Sequence, residues 1–219
     1  MLRIVATSDT HYKVDVKKWI PDGDVFSHAG DLMRTGYPSD FEEQLEWLAE
    51  LPHKTKLYVP GNHDFHLQVY PGPALQQLRN VGVTVVGLPG NTHFQTYVLD
   101  NGKRVLGLPY VTGLPRWAFN ATPDIIHDVL VSATRTDGKP DIVVSHSPVN
   151  GFLDTVPGNK HVGIDAYVPF RRGVKPAYWI CGHIHESYGE MVYDETTFLN
   201  VAMCDRNYQH VNPPKVFDI

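Results

Sequence analysis

Short polar motifs that follow buried strands constrain this chain more than any other feature. In chain order they are Asp9-Thr10-His11, Gly30-Asp31, Gly61-Asn62-His63-Asp64, Ser145-His146 and Gly182-His183-Ile184-His185. Each follows an apolar stretch of the kind found in strands that are covered on both faces. Because each motif supplies oxygen or imidazole groups, the pattern predicts one metal site assembled from the ends of strands that are far apart in sequence.

The remaining elements predict an α/β fold. Strands alternate with helices in the first half, and Asn101-Gly102 marks a hairpin in the middle of the chain. A capping box of Ser39 and Glu42 predicts the start of one helix, and Thr122 followed by proline predicts the start of another. Since hairpins dominate the second half, we expect a sandwich with mixed sheets rather than a purely parallel, doubly wound sheet.

Composition narrows the classes of protein. A chain of 219 residues is long enough for one substantial core, so we expect a single domain over residues 1–219. The net charge of −5 offers no basic face for stable nucleic-acid binding. Cys181 and Cys204 form neither a disulfide framework nor a thiolate zinc motif. With no signal peptide and no stretch of membrane-spanning length, we expect no membrane association and a cytoplasmic location.

The types of side chain in these motifs restrict the metal. Carboxylate, amide and imidazole ligands suit Mn²⁺, Fe or Zn²⁺ rather than soft metals or an all-oxygen calcium site. Residues two apart on an extended segment point to the same side, so Asp9 with His11, and His183 with His185, should each present two ligands toward one centre. The ligands exceed what one ion needs, which favours two metals about 3.5–4 Å apart, bridged by a shared carboxylate.

The ordered motifs resemble those of the calcineurin-like metallophosphoesterase superfamily. The resemblance runs from Met1 to the C-terminus and is finer than the superfamily. It extends to the small metallophosphoesterase-domain-containing subfamily through His28-Ala29-Gly30-Asp31-Leu32, Trp117-Ala118-Phe119-Asn120, Gly182-His183-Ile184-His185-Glu186, Asn207-Tyr208-Gln209 and Val211-Asn212-Pro213-Pro214. Characterised members of that subfamily are phosphodiesterases, some of which act on cyclic nucleotides. The resemblance implies a four-layer α/β/β/α sandwich of two mixed sheets with the site at the strand ends.

The resemblance also implies a role for each motif residue. One metal would be held by Asp9, His11 and His185, with Asp31 bridging to the second, and the second would be held by Asp31, Asn62, His146 and His183. Mn²⁺ is the expected ion at both positions. A hydroxide that bridges the metals would attack phosphorus. His63 would act beside the leaving-group oxygen as a general acid or a transition-state stabiliser, and Asp64 would orient His63 by a hydrogen bond.

Contacts to the substrate are less constrained by the motifs. Asn62 and His63 are expected to contact the phosphoryl group. Arg34 is either a bidentate phosphate ligand or an ordinary surface arginine. Trp117 and Phe119 either stack on a base or cover the core, and the core is favoured.

Three functions remain open from the residues. The favoured one is metal-dependent hydrolysis of a small diester of the cyclic-nucleotide type. A phosphomonoesterase acting on a nucleotide or phosphoprotein shares the same metal centre, although the residues after Asp31 lack the usual protein-phosphatase form Gly-Asp-x-Val-Asp-Arg-Gly. A non-catalytic nucleotide-binding protein on the same fold is the third, and the presence of both His183 and His185 counts against it.

Overall fold

A computed structural model describes residues 1–11, 14–34, 36–89 and 95–219 of the chain. The first sheet has five strands, in the spatial order β13-β1-β2-β3-β4. Their bounds are β1 (Arg3–Thr7), β2 (Val25–His28), β3 (Thr55–Tyr58), β4 (Val83–Val85) and β13 (Lys215–Asp218). Strands β1 to β4 run parallel, and β13 lies antiparallel beside β1, so the sheet is mixed.

The second sheet has six strands, in the order β11-β12-β10-β7-β6-β5. Their bounds are β5 (Thr96–Val98), β6 (Arg104–Leu108), β7 (Ile142–Ser145), β10 (Tyr178–Cys181), β11 (Gly189–Tyr193) and β12 (Thr196–Asn200). The four inner strands are parallel, whereas β5 and β11 are antiparallel edge strands. A separate hairpin pairs β8 (Thr155–Val156) with β9 (Lys160–His161). The predicted turn at Asn101-Gly102 joins β5 to β6.

The helices are α1 (Pro38–Glu50), α2 (Phe65–Val69), α3 (Pro71–Asn80), α4 (Pro123–Asp137) and α5 (Tyr167–Val174). The predicted start of α4 is confirmed, because the Thr122 side chain accepts a hydrogen bond from the Ile125 N–H. The predicted capping box of α1 is wrong. Pro38 occupies the first helical position, so Ser39 and Glu42 lie inside the helix, and Tyr37 is an N-cap without a side-chain bond.

Alternate residues along the central strands face different layers. In β1, Ile4 and Ala6 pack with Val144 and Ile180 of the second sheet, whereas Val5 packs with the core beneath α1 and α3. In the second sheet, the outward-facing apolar residues of β7 and β10 pack against α4 and α5. Two sheets thus face each other with helices on both outer sides. The predicted α/β/β/α sandwich of mixed sheets is confirmed.

Bilayer-spanning segments were sought among the helices of the described ranges. None of them is both long and apolar enough to cross a membrane.

Candidate metal centre

The motif residues lie beyond the carboxyl ends of parallel strands from both sheets. Strands β1, β2 and β3 lead to Asp9 and His11, to Asp31 and to Asn62, and strands β7 and β10 lead to His146 and to His183 and His185. Backbone hydrogen bonds tie the loops that follow these strands together, both between the two sheets and within the second sheet. The Met203 N–H donates to the Ser8 carbonyl oxygen at 2.9 Å, and the Gly182 N–H donates to the His146 carbonyl oxygen at 2.9 Å. Residues from distant parts of the chain are therefore brought to one place.

Asp9, His11 and His185 form the first group of candidate ligands. One ligand atom from each lies within 4.8 Å of the others. The Nε2 atom of His185 is 3.2 Å from Asp9 Oδ1 and 3.2 Å from His11 Nε2. Its Nδ1 atom is 2.9 Å from the carbonyl oxygen of Asp205. An Nδ1–H bond to that carbonyl leaves the Nε2 lone pair directed at the group.

Asp31, His146 and His183 form the second group, again within 4.8 Å. The Nε2 atom of His146 lies 3.4 Å from Asp31 Oδ1 and 2.9 Å from Asn62 Oδ1. On the other side of the ring, Nδ1 is 2.9 Å from the Ala29 carbonyl oxygen. The backbone thus orients His146 in the same way as it orients His185.

Asp31 lies between the two groups. Its Oδ1 atom is 3.4 Å from His146 Nε2, whereas its Oδ2 atom is 3.8 Å from His11 Nε2. The two oxygens of one buried carboxylate therefore face histidines of different groups. This is the arrangement that a carboxylate shared by two cations requires.

The alternation expected for an extended segment does not hold for His183 and His185. They belong to different groups, and His183, with a φ angle of 64°, does not continue the extended strand. The prediction that both point to one centre is wrong. The division that the resemblance implies, with His185 beside Asp9 and His183 beside Asp31, matches the geometry.

Several candidate ligands have a left-handed backbone. The φ angles are 54° at Asp9, 44° at His11 and 56° at Asp31, in addition to 64° at His183. This conformation is uncommon for residues other than glycine and costs about 1–2 kcal/mol per residue. Strain of this kind persists where the surrounding structure enforces it, and it concentrates at functional sites.

The arrangement of lone pairs fits bound cations. With Nδ1–H donated to the backbone, His146 Nε2 and Asn62 Oδ1 both present lone pairs, yet they lie 2.9 Å apart. His11 Nε2 and His185 Nε2 face each other at 3.2 Å. Such pairs repel unless a proton or a cation lies between them. Ligands about 2.0–2.2 Å from one cation and at right angles to each other lie about 3 Å apart, so these atoms are suitably placed for divalent ions.

The histidines of the two groups differ in their pKa values. Burial alone lowers the pKa of His146, but the charge of Asp31 outweighs it and raises the pKa to about 9. For His185, burial is likewise outweighed, by the hydrogen bond and charge of Asp9, and the pKa rises to about 9. Burial dominates at His11 and at His183, and it lowers the pKa of each to about 4. In the absence of metal, protons on His146 and His185 compensate the buried carboxylates.

The hydrogen bonds of Asp64 differ from those expected. Its carboxylate accepts the backbone N–H groups of Asp31, Gly61 and Met33 at 2.9, 2.7 and 3.0 Å. His63 Nδ1 instead lies 2.5 Å from the Arg34 carbonyl oxygen. The expectation that Asp64 orients His63 by a hydrogen bond is therefore wrong, because the Asp64 oxygens are directed at the backbone of the loops. Asp64 holds the Asp31 loop and the Asn62 loop together.

Asn62, His63 and Arg34, the expected substrate contacts, lie at the same site. Asn62 and His63 are buried beside the second group and beside Asp31, and His63 Nε2 is 3.9 Å from Asp31 Oδ2. The Arg34 side chain is exposed, and its backbone supports His63. Arg34 therefore lies at the solvent-exposed edge of the site, next to His63.

Other residues at the site are missed or misjudged from sequence. The sequence favours a core position for Trp117, but this residue is 39% exposed and its ring centroid is 4.4 Å from that of His63. Phe119 is buried as expected.

Two further residues at the site are missed from sequence. Ser8 Oγ lies 2.5 Å from Asp9 Oδ2, and the ring centroid of Tyr208 is 4.7 Å from that of His11. The one signal for Tyr208 is its position in the tail that resembles the subfamily. The Ser8 hydroxyl and the Asp205 carbonyl, which contact Asp9 and His185, belong to no sequence motif that would indicate these contacts.

Comparisons with known proteins identify the family of this chain. The calcineurin-like phosphoesterase family model matches residues 2–187. Metallophosphoesterase domain-containing protein 1 of Homo sapiens is 34% identical over 99% of this chain and 71% of its own length. A UPF0046 protein of Caenorhabditis elegans is 30% identical over 100% of this chain and 81% of its own length.

Solved structures share the fold. One crystal structure superposes with a TM-score of 0.71 at 15% identity, covering 100% of this chain and 99% of that chain. TT1561 of Thermus thermophilus gives a TM-score of 0.65 at 15% identity, covering 99% and 98%. The family model and the relatives, together with the clustered carboxylates and histidines, show that this chain belongs to the calcineurin-like phosphoesterase family, within its metallophosphoesterase-domain-containing and UPF0046 group, and is a metal-dependent phosphoester hydrolase.

Proposed function

We propose that this protein is a phosphodiesterase that hydrolyses small diesters of the cyclic-nucleotide type with two divalent cations, preferably Mn²⁺. The position of Asp31, whose two oxygens face histidines of two different groups, supports the two-cation part of the proposal. A site for one cation does not require the two oxygens of one carboxylate to face two different groups of histidines. The similarity to the metallophosphoesterase-domain-containing relatives supports the diester part. The mixed oxygen and imidazole ligand set favours Mn²⁺, with Fe or Zn²⁺ as the other suitable ions.

The residues that would hold the cations follow from the two groups. Asp9, His11 and His185 would hold the first, and Asn62, His146 and His183 the second, with Asp31 shared. Bound there, the cations would neutralise phosphoryl charge and lower the pKa of an attacking water.

His63 would supply a proton to the leaving group. Its Nδ1 atom is engaged by the Arg34 carbonyl oxygen, so the other ring nitrogen, Nε2, is the one that faces the site. Because Nδ1–H is donated to that carbonyl, His63 would give a proton from Nε2 to the oxygen of the departing alcohol only as the doubly protonated imidazolium. The exposed guanidinium of Arg34 would bind a non-bridging phosphoryl oxygen on the solvent side.

The first experiment compares bis-p-nitrophenyl phosphate with p-nitrophenyl phosphate in Mn²⁺, followed by 2′,3′- and 3′,5′-cyclic nucleotides. We expect a higher kcat/KM for diesters than for monoesters. The reverse order would identify a phosphomonoesterase. Tight nucleotide binding without hydrolysis of any of these compounds would identify a binding protein.

A second experiment tests His63 through the leaving group. The substitution His63→Gln should lower kcat on a cyclic nucleotide, whose alkoxide needs a proton, by about a hundredfold or more. The loss on bis-p-nitrophenyl phosphate should be much smaller, because p-nitrophenolate leaves without one. His127→Gln is the matched control, since His127 is an exposed histidine on α4. Equal losses on both substrates would exclude His63 as the proton donor.

A further inference from the structure

Two aromatic side chains border His63 and are unlike the aromatic residues of the core. Trp117 is 39% exposed and Tyr208 is 42% exposed, whereas Trp179 and Phe26 are fully buried. The His63 ring centroid is 4.4 Å from that of Trp117 and 6.3 Å from that of Tyr208. Because this aromatic surface lies beside a candidate catalytic group, it is available to a ligand bound there.

The Trp117 ring packs beside a second aromatic ring, that of Phe65. The Phe65 ring lies 6.0 Å away at an interplanar angle of 32°. The chain is anchored on either side of the ring, because the Trp117 N–H donates to the Leu114 carbonyl oxygen and the Ala118 N–H donates to the Asn62 carbonyl oxygen. Trp117 is therefore a fixed wall attached to the loop that carries Asn62 and His63.

Tyr208 reaches the site from the C-terminal loop, residues 205–210. The Asp205 side chain accepts the backbone N–H groups of Asn207 and Gln209, and the Tyr208 N–H donates to the Asp205 carbonyl oxygen. Tyr208 adopts a φ angle of 59°, which an L-residue with a bulky side chain rarely does. This strained turn places its ring at the edges of His11 and His185, at 4.7 and 5.5 Å.

We propose that Trp117 and Tyr208 form a subsite for a planar aromatic group carried by the phosphoester, namely a nucleobase. The inference rests on the proposed function, because the phosphoryl group of such a ligand has to lie at the candidate metal centre next to His63. Each ring offers partly exposed aromatic surface at low cost in conformational entropy, since each has only two side-chain torsions. Every nucleobase has a π-face, so this subsite selects nucleotides as a class, whichever base they carry.

The test measures binding to the Mn²⁺-loaded protein by calorimetry, with adenosine monophosphate and ribose 5-phosphate as probes. Both carry the same sugar phosphate, and only the first carries a base. We expect adenosine monophosphate to bind about tenfold more tightly or better. Trp117→Ala and Tyr208→Ala should each reduce that ratio, because loss of an aromatic ring weakens the binding of adenosine monophosphate more than that of ribose 5-phosphate.

Two further variants keep the experiment decisive. Trp117→Phe retains an aromatic face and should retain most of the preference, which guards against loss of folding in the alanine variant. Trp19→Ala is the matched control, because Trp19 is 38% exposed and lies on the 3-10 turn Val14–Trp19. Equal affinities for the two probes, no measurable binding of adenosine monophosphate, or an unchanged ratio in Trp117→Ala would overturn the subsite. Failure of the protein to hydrolyse diesters, with the binding preference intact, would instead overturn the proposed function alone.

Discussion

The carboxylate of Asp9 lies against Gly182, in the space that a Cβ atom on residue 182 would occupy. Asp9 Oδ2 accepts the backbone N–H of His183 at 2.9 Å, which leaves Oδ1 facing His185. The glycine therefore allows the first and last motifs of the chain to approach closely. Gly182 is needed here because it has no side chain. A methyl group at residue 182 would displace the carboxylate or the loop.

Gly182→Ala should disrupt the first group of ligands. The added methyl group would contact Asp9 Oδ2 and Ser8 Oγ, so either Asp9 or the His183 loop has to move. Because a displacement of about 1 Å can cost about a hundredfold in rate, we expect at least that loss of kcat. The measurements are the turnover of bis-p-nitrophenyl phosphate and the Mn²⁺ affinity.

Gly189→Ala provides the control for that substitution. A methyl group there would meet its nearest atom, Leu153 Cδ2, at 3.7 Å, which is ordinary van der Waals contact. Activity and metal affinity should stay within about twofold of the unmodified protein. If both glycine variants lose activity alike, close approach at Gly182 is not the reason.

Asp64→Asn should destabilise the protein. The Asp64 carboxylate accepts three backbone N–H groups, and an asparagine amide turns one acceptor oxygen into a donor. Leaving a buried donor without a partner costs about 1–3 kcal/mol in the free energy of unfolding. Urea unfolding measures this loss. A stability within error of the unmodified protein would show that Asp64 does not hold the two loops.

Metal binding should release protons and strengthen as pH rises. In the metal-free protein the pKa values of His146 and His185 are raised to about 9, so both rings are protonated at neutral pH. A cation needs the lone pairs that these protons occupy. The apparent Mn²⁺ affinity should therefore rise up to about pH 9 and then level off. Calorimetry at pH 7 in buffers of different ionisation enthalpy should show about one proton released per cation, and a binding enthalpy that is independent of the buffer would contradict this.

The metal-free protein should lose stability as pH rises from 6.5 through 9. A folded pKa of about 9, above the ordinary histidine value of 6.5, means that the stabilisation from His146 and His185 is complete below 6.5 and lost above 9. The lowered pKa values of His11 and His183, about 4, act only below this window. Urea unfolding in EDTA at several pH values measures the effect. A metal-free protein that gains stability over this range would contradict the assigned charges.

The clustering of the candidate ligands is predictable from sequence, because motifs at strand ends indicate both residue type and place in the fold. The alternation of Ile4, Val5 and Ala6 between two cores was predictable for a similar reason, since a strand covered on both faces carries apolar residues throughout. The organisation of residues 1–219 as a single domain stays a prediction.

What escaped prediction depends on backbone conformation and long-range contacts. His183 has a left-handed φ and lies in a different group of candidate ligands from His185. No local sequence pattern predicts a positive φ at a histidine. The core position predicted for Trp117 is wrong, because a tryptophan followed by Ala118 and Phe119 has the same local pattern in a core and at the edge of a site. The Asp64 hydrogen bonds reach Asp31 and Met33, which only the folded chain brings near.

The central claim is that Asp31 is shared by two cations, and Mn²⁺ titration of the metal-free protein followed by electron paramagnetic resonance tests it most directly. We expect two Mn²⁺ per chain with an exchange-coupled signal. In Asp31→Asn we expect the coupling to disappear, together with nearly all turnover of bis-p-nitrophenyl phosphate. A single uncoupled Mn²⁺ in the unmodified protein, or coupling and turnover that survive in Asp31→Asn, would contradict the account.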